Sequence, residues 1–278
     1  MTLLFKKNKK RTYSQPPDHP ERILDVMSGA STATIADLRQ QLEGITSSGA
    51  RRGGFLPFGV PEIDRRLPHG GIAVGALHEV AGGADGAVDG AASAAFAAGI
   101  AARTGGLVLW CYRRPDLFAP ALARSGLSED KVLFFEAVDE ASLVECFELA
   151  VSHGSVSAVV AEVASLKRVP SQRLQMAAER SGTMAIALRR WMTQRDAQDF
   201  GNPTAAATRW RVTEINSEIL PVQGVGRSRW LLELMRCRGG ESSDFIVEAC
   251  DETGGLSIPA DLADGQDAAD AWGGRAAS

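Results

Sequence analysis

The sequence predicts an α/β protein with a doubly wound, mostly parallel sheet, flanked by helices and extended by antiparallel strands toward the C-terminus. Short, continuous apolar runs recur between residues 76 and 188, and a helical pattern separates most successive runs. The connections are short enough for crossovers between parallel strands. After residue 207, three further strand patterns are separated by glycine-containing turns, which predicts the added antiparallel strands.

Continuous apolar runs are typical of strands that are buried on both faces. The predicted strands are Ala76–Val80, Leu107–Cys111, Val132–Phe135, Val156–Val163, Thr183–Leu188, Trp210–Ile215, Trp230–Cys237 and Phe245–Cys250. Helices are predicted from apolar spacing, an aspartate or proline near the start and a glycine after the end. These helices are Ala91–Ala102, Pro115–Arg124, a helix capped by Asp139 that runs to Val151, and Pro170–Arg180.

The composition along the chain predicts four segments. Residues 1–20 mix basic residues with three prolines, which favours a flexible basic arm. Residues 21–54 carry two helical patterns and a Ser/Gly/Arg linker, and residues 55–258 form the core. Residues 259–278 are rich in Asp, Ala and Gly, which predicts a disordered acidic tail.

The overall charge argues against a uniformly basic nucleic-acid binder. The 278 residues carry a net charge of −4, and 45% of them are hydrophobic. Any DNA binding is therefore regional or supplied by a partner, and we expect it to be weak. The sequence has no apolar run of about 18 residues, so we expect no membrane contact and a cytoplasmic protein. Four scattered cysteines predict buried free thiols and no zinc site.

A glycine-rich stretch follows the first long strand and has the layout of a phosphate-binding P-loop. The segment Gly82–Gly90 holds four glycines and precedes an alanine-rich helix. A working P-loop requires a lysine and then a Ser/Thr hydroxyl after its last glycine. Alanines occupy both positions. The degenerate loop comprises Gly82, Gly83, Gly86, Gly90, Ala91 and Ala92, and we do not expect it to bind ATP productively.

The residues before this loop resemble the entry to a RecA-type core. The run Gly59–Gly82 matches a pattern G-x-x-x-(I/L)-D, L, G-G-(I/L), G and E-(I/V)-x-G that precedes the Walker A loop in that superfamily. Together with the missing lysine and the segment RWLLELMRCRGG at Arg229–Gly240, the chain resembles the ImuA family. These are RecA-related proteins of bacterial DNA-damage mutagenesis, and the resemblance covers about residues 55–260.

The resemblance implies a RecA-like core and a non-enzymatic accessory role in SOS-induced, error-prone translesion DNA synthesis. The implied partners are an ImuB-like protein related to Y-family polymerases and an error-prone DnaE-type polymerase in the same complex, with RecA as a further candidate. No cofactor is implied. Glu162 ends a strand at the Walker B-like position, but no carboxylate follows the strand that ends near Cys111.

Arginines and tryptophans alternate in the C-terminal half and suggest a surface for DNA or for an acidic partner. The candidates are Arg189, Arg190, Arg209, Arg211, Arg227, Arg229, Arg236 and Arg238. Trp191, Trp210 and Trp230 are interleaved with them. Strand alternation gives a second interpretation, in which the tryptophans belong to the core. His78 lies in a predicted buried strand and has no metal-ligand or triad partner nearby, so we expect a satisfied core residue.

Two other functions remain open at the level of the sequence. A RecA/RadA-like, DNA-dependent recombination ATPase would need a lysine at Ala91 or one supplied in trans. A cell-division inhibitor of the SulA type shares the RecA-related fold and the SOS setting but is usually smaller. Nucleotide binding would favour the first alternative, and filamentation on overexpression would favour the second.

Overall fold

The computed structural model of the protein describes residues 54–83, 87–190, 199–217 and 226–259. The predicted N-terminal arm and helices, and nearly all of the predicted acidic tail, lie outside these residues. In chain order the elements are β1 (Phe55–Leu56), α1 (Pro61–Asp64), β2 (Ile72–Ala73), β3 (Leu77–Gly82), α2 (Ala87–Ala102), β4 (Val108–Tyr112), α3 (Ala119–Arg124), β5 (Val132–Glu136), α4 (Glu140–His153), β6 (Ala158–Val163), α5 (Arg168–Ser181), β7 (Met184–Arg189), β8 (Thr208–Ile215), β9 (Arg229–Cys237) and β10 (Ser243–Glu248).

Eight of these strands form one mixed sheet in the order β10-β9-β8-β3-β7-β6-β4-β5. The six strands β8, β3, β7, β6, β4 and β5 are parallel to one another. The β8–β9 and β9–β10 pairs are antiparallel. This confirms the predicted α/β class with a mostly parallel sheet. The two ends of the sheet are named here for the parallel strands: β3 starts at the amino end and reaches Gly82 at the carboxyl end.

One strand differs from the prediction in its direction. We expected all three C-terminal strands to be antiparallel, but β8 runs parallel to β3, with Thr208 opposite His78. The reason is that the chain returns to the amino end after β7, where the N–H of Ala207 donates to the carbonyl of Leu77 at 2.7 Å. In the eight-stranded sheet, only the β8–β9 and β9–β10 pairs are antiparallel, so β9 alone runs against the other strands.

The helices follow their sequence signals at most ends. The carboxylate of Asp139 caps α4 by accepting a hydrogen bond from the N–H of Ser142 at 2.7 Å. Helices α4 and α5 end at Gly154 and Gly182, whose φ angles of 76° and 79° favour glycine. Helix α5 begins at Arg168, two residues before Pro170. The helix tolerates this proline because N–H groups in the first turn have no hydrogen-bond partner within the helix. Among the described helices, none is long and apolar enough to cross a bilayer.

Two hydrophobic cores lie on opposite faces of the sheet. Residues of α2 and α3 contribute to the first core, and residues of α4 and α5 contribute to the second. Trp210 and Trp230 are buried in the first core, where each packs edge-on against Phe96 at 5.6 and 6.4 Å between ring centroids. This confirms the interpretation of these two tryptophans as core residues. Trp191 lies outside the described residues.

The cysteines are free thiols. Cys111, Cys146 and Cys237 are buried and Cys250 is half-buried, so the prediction of buried thiols holds for three of the four. Burial raises the pKa of Cys250 to about 12, which keeps this thiol protonated near neutral pH.

His78 is buried in β3 and is fully satisfied by hydrogen bonds, as the sequence predicts. Its two ring nitrogens lie 2.8 Å from the hydroxyl of Thr208 and 2.8 Å from the carbonyl oxygen of Ala73. The indole N–H of Trp210 donates to the same hydroxyl at 2.9 Å. A carbonyl can only accept, so Nε2 carries a proton and donates to Ala73; in a neutral imidazole Nδ1 then accepts from the Thr208 hydroxyl.

We predict that His78 makes the stability of the fold sensitive to mild acid. Burial lowers the pKa of His78 from 6.5 to about 4. The unfolded state therefore takes up the proton first as the pH falls. The neutral, buried His78 therefore contributes about 3 kcal/mol to the free energy of unfolding. This contribution is complete above pH 6.5 and is lost as the pH falls from 6.5 to 4. Urea unfolding across this range should show a shallower pH dependence in His78→Gln than in the wild type.

His153→Gln is the matched control for this prediction, because His153 is exposed at the end of α4. It should keep the wild-type pH dependence. Equal pH dependence in His78→Gln and the wild type would contradict a neutral, buried His78.

Candidate functional site

The degenerate loop is shorter than the sequence predicts. Strand β3 ends at Gly82, and α2 already begins at Ala87. Gly90, Ala91 and Ala92 consequently lie inside the helix, and the predicted helix start at Ala91 is one turn too late. Glycine within a helix costs only about 1 kcal/mol, so Gly90 does not stop α2. Gly86 lies outside the described residues.

The corrected helix start changes which residues occupy the P-loop positions. Counted from Gly82, the spacing G-x-x-x-x-G-K-[ST] places Val88 at the lysine position and Asp89 at the hydroxyl position. Val88 is 64% exposed. Asp89 is buried, and its Oδ1 accepts a hydrogen bond from the N–H of Glu214 at 2.8 Å. A carboxylate therefore stands in the first turn of α2, where a P-loop binds phosphate.

Gly82 and Gly83 are explained by packing. A Cβ atom at Gly82 would lie 3.0 Å from the backbone of Asp89, and one at Gly83 would lie 1.9 Å from Oγ1 of Thr213. The N–H of Gly83 also donates to the carbonyl of Val212 at 2.8 Å. These two glycines let β3 approach α2 and β8 closely, so their presence does not require a phosphate ligand.

Glu162, at the Walker B-like position near the end of β6, is already engaged by protein groups. Its Oε1 accepts from the indole N–H of Trp110 at 2.8 Å, and its Oε2 pairs with Arg190 at 3.1 Å. Burial raises the pKa of Glu162, and the charge of Arg190 opposes this shift. Arg190 also pairs with Asp116 at 2.8 Å. Among the described residues, no cluster of His, Cys, Asp or Glu has the composition of a metal site.

Arg189 and Arg209 are buried and do not contribute to a partner or DNA surface, so the prediction is wrong for these two residues. Arg189 Nη1 lies 3.0 Å from Glu79 Oε2, and Arg209 Nη2 lies 3.0 Å from Glu79 Oε1. The ring of Phe200 lies against both guanidinium groups at 5.8 and 5.0 Å. The two arginines neutralise a carboxylate that has no solvent exposure.

The sequence did hold a signal for this arrangement. Glu79 stands in the middle of a strand that is buried along its whole length, and a buried carboxylate requires cationic or hydrogen-bonding partners. Two arginines on strands that could neighbour β3 were available to meet this need. The frequency of the arginines favours a surface role, whereas Glu79 is the buried acidic residue with which two of them pair.

The six other candidate arginines retain some exposure but do not form one patch. Arg227 pairs with Glu248 at 2.8 Å, near the start of β9, where Arg229 also lies. Arg236 and Arg238, at the end of β9, donate to the carbonyl oxygens of Thr204 and Ala205 at 2.7 and 2.5 Å. The rise of a strand places the start and the end of β9 roughly 30 Å apart.

Arg211 lies between the two ends of β9 and pairs with Glu233, with 2.5 Å between Nε and Oε2. Arg190 lies at the carboxyl end, beside Glu162.

We predict that Arg189 stabilises the fold and that Arg227 does not. Arg189→Met removes one of the two cationic partners of a buried carboxylate, which typically costs about 3 to 5 kcal/mol. Arg227→Met is the matched control, because an exposed ion pair contributes about 0 to 1 kcal/mol. Urea unfolding of the two variants measures both losses. Equal losses in the two variants would contradict the structural role of Arg189.

Comparisons with known proteins place the chain in a family. No protein-family model matches it. It is 36% identical over 204 residues to "Protein ImuA" of Caulobacter vibrioides strain NA1000 / CB15N, a match that covers 70% of this chain and 83% of that protein. Protein ImuA of Caulobacter vibrioides strain CB 15 matches with the same identity and coverage. On this similarity, the chain belongs to the ImuA family.

Proposed function

We propose that this protein is a non-enzymatic accessory protein of SOS-induced, error-prone translesion DNA synthesis. In this role it binds an ImuB-like protein related to Y-family polymerases, within a complex that contains an error-prone DnaE-type polymerase. The complex acts in the cytoplasm. Membership of the ImuA family is the observation that carries the proposal.

The chemistry at the start of α2 supports a non-enzymatic role. Hydrolysis of ATP needs a cation that stabilises the transferred phosphoryl group and a hydroxyl that holds Mg²⁺. Val88 and Asp89 stand at these two positions, so one position lacks charge and the other carries the charge that repels phosphate. Gly82 and Gly83 have packing roles, so their presence does not by itself favour the recombination ATPase alternative.

The pairing of the arginines favours proteins over DNA as the main partners. Arg190, Arg211 and Arg227 each pair with at least one carboxylate of this chain. Phosphate contacts would have to compete with these pairs, so we propose that direct DNA binding is weak. The exposed parts of the six remaining arginines are proposed contacts for the partner proteins, and RecA is a further candidate partner.

We predict that a strain lacking this gene loses ultraviolet-induced mutation but keeps homologous recombination. The expected result is an induced mutation frequency close to that of unirradiated cells, with survival scored in parallel. Wild-type protein supplied from a plasmid should restore induction. Gly90→Ala should restore it equally well, because an added Cβ meets no atom within 4 Å and alanine favours the helix.

Four outcomes would contradict the proposal. Unchanged induced mutation in the deletion strain would remove the mutagenesis role. A recombination defect, or failure of Gly90→Ala together with ATP binding by calorimetry, would favour the recombination ATPase. Filamentation on overexpression, with inhibition of the division GTPase, would favour the SulA-like alternative.

A further inference from the structure

A cavity of about 320 Å³ opens at the amino end of the sheet, opposite the degenerate loop. It is called here the amino-end cavity. Val74, Ala76 and Ala207 line it from the start of β3 and of β8, and Arg238 lines it just after β9. Its volume lies near the lower limit of typical ligand pockets, about 300 to 1,000 Å³. It therefore suits one large side chain better than a nucleotide.

One wall of the amino-end cavity has an unusual backbone. His69 has a φ of 56°, and among the described residues it is the only non-glycine with a positive φ. Its ring packs against Phe55 at 4.4 Å between centroids. A Cβ atom at the neighbouring Gly71 would lie 2.6 Å from the backbone of Leu56, so the wall is closely packed. A costly backbone conformation that lines a cavity is typical of functional sites.

The rim of the cavity carries an arginine held at a fixed place. Arg238 donates through Nη2 to the carbonyl of Ala205 at 2.5 Å, and its Nη1 lies 3.8 Å from Glu179 Oε1. The second distance is too long for a hydrogen bond. Glu179 instead accepts from the amide of Gln175 at 2.7 Å. The half-exposed guanidinium of Arg238 can therefore donate hydrogen bonds to a carboxylate from outside the chain.

The exposed face of α5 adjoins the same rim, because Gln175 and Glu179 line the cavity and Met176 and Arg180 follow them in the helix. The exposed charged residues from Lys167 to Arg180 are Lys167, Arg168, Arg173, Glu179 and Arg180, four cations and one anion. Val169 and Met176 are 63% and 61% exposed on this helix. Exposed apolar side chains surrounded by cations favour a protein ligand that is acidic and carries apolar anchors.

We propose that the amino-end cavity and the exposed face of α5 together form the docking surface for an acidic segment of the ImuB-like partner. One aromatic or large aliphatic side chain of that segment fills the cavity, and neighbouring carboxylates pair with Arg238 and Arg180. The inference rests on the proposed function and assigns it a surface. A nucleic-acid backbone would pair with the arginines but would leave the cavity and the two apolar side chains unfilled.

Calorimetric titration of the full-length chain with the ImuB-like protein of the same organism tests the docking surface. Val74→Trp fills the cavity, and Arg238→Glu reverses the charge at its rim. Each should weaken binding about tenfold or more, as expected for an anchor residue. Arg124→Glu on α3 is the matched control, because it makes the same change of charge at an exposed arginine elsewhere, and it should bind as the wild type does.

Val74→Trp could fail to fold, so thermal unfolding is measured for each variant. Arg238→Glu and Met176→Ser alter exposed side chains and keep the test decisive. If the wild type binds and the folded variants bind equally well, the docking surface is wrong and the proposed function stands. If the wild type does not bind, the proposed partner is wrong and the docking surface fails with it.

Two further measurements test whether the docking surface binds something else. A positive result in either one would overturn the proposal. Sedimentation of the chain alone would reveal a dimer that Val74→Trp dissociates, in which case a second copy fills the cavity. The second measurement is the binding of a fluorescent single-stranded oligonucleotide. If the surface binds nucleic acid, Arg238→Glu should bind the oligonucleotide more weakly than the wild type does, and Val74→Trp should bind it equally well.

Discussion

The buried carboxylate of Glu79 is the constraint on which the C-terminal half of the fold depends. A charge without solvent exposure is tolerated only with cationic or hydrogen-bonding partners. Arg189 of β7 and Arg209 of β8 pair with its two oxygens, and the hydroxyl of Thr204 also donates to Oε1. The ion pairs thus join the three central strands, and they hold the segment before β8 against the sheet.

The same network reaches the rim of the amino-end cavity. The carbonyl oxygens of Thr204 and Ala205 accept hydrogen bonds from Arg236 and Arg238. Thr204 itself is fixed by Glu79. The position of the exposed guanidinium of Arg238 is therefore set by a buried carboxylate on another strand. Relative to apolar residues of the same volume, a buried ion-pair network need not add stability, but it can still determine where a surface charge lies.

The strands and the tryptophan core could be predicted from the sequence because local rules decide them. An apolar run such as Val156–Val163 can only be a buried strand or a buried helix, and its length decides between them. The alternation of Arg209, Trp210 and Arg211 placed the indole in the core. It could not show that the opposite face is also partly buried, because that burial comes from Phe200 and Thr204 in the irregular segment before β8, whose path no strand pattern predicts.

Other features depend on contacts that no local pattern encodes. The glycine count suggested that the loop ends at Gly90, whereas α2 begins at Ala87 and the carboxylate of Asp89 binds the backbone of β8. The direction of β8 depends on where its connection returns to the sheet. The amino-end cavity is lined by residues between Phe55 and Arg238, so only the folded chain brings them together.

The two ends of the sheet differ in how fully their charged groups are paired within the chain. In such folds a ligand binds at the carboxyl ends of the strands. In this chain Glu162, Arg190 and Asp116 satisfy one another there, and Asp89 occupies the start of α2. The amino-end cavity lies at the other end, with Arg238 at its rim, 3.8 Å from Glu179. The paired charges at the carboxyl end and the open cavity at the amino end are therefore consistent with the proposed docking surface, which uses the sheet as its support.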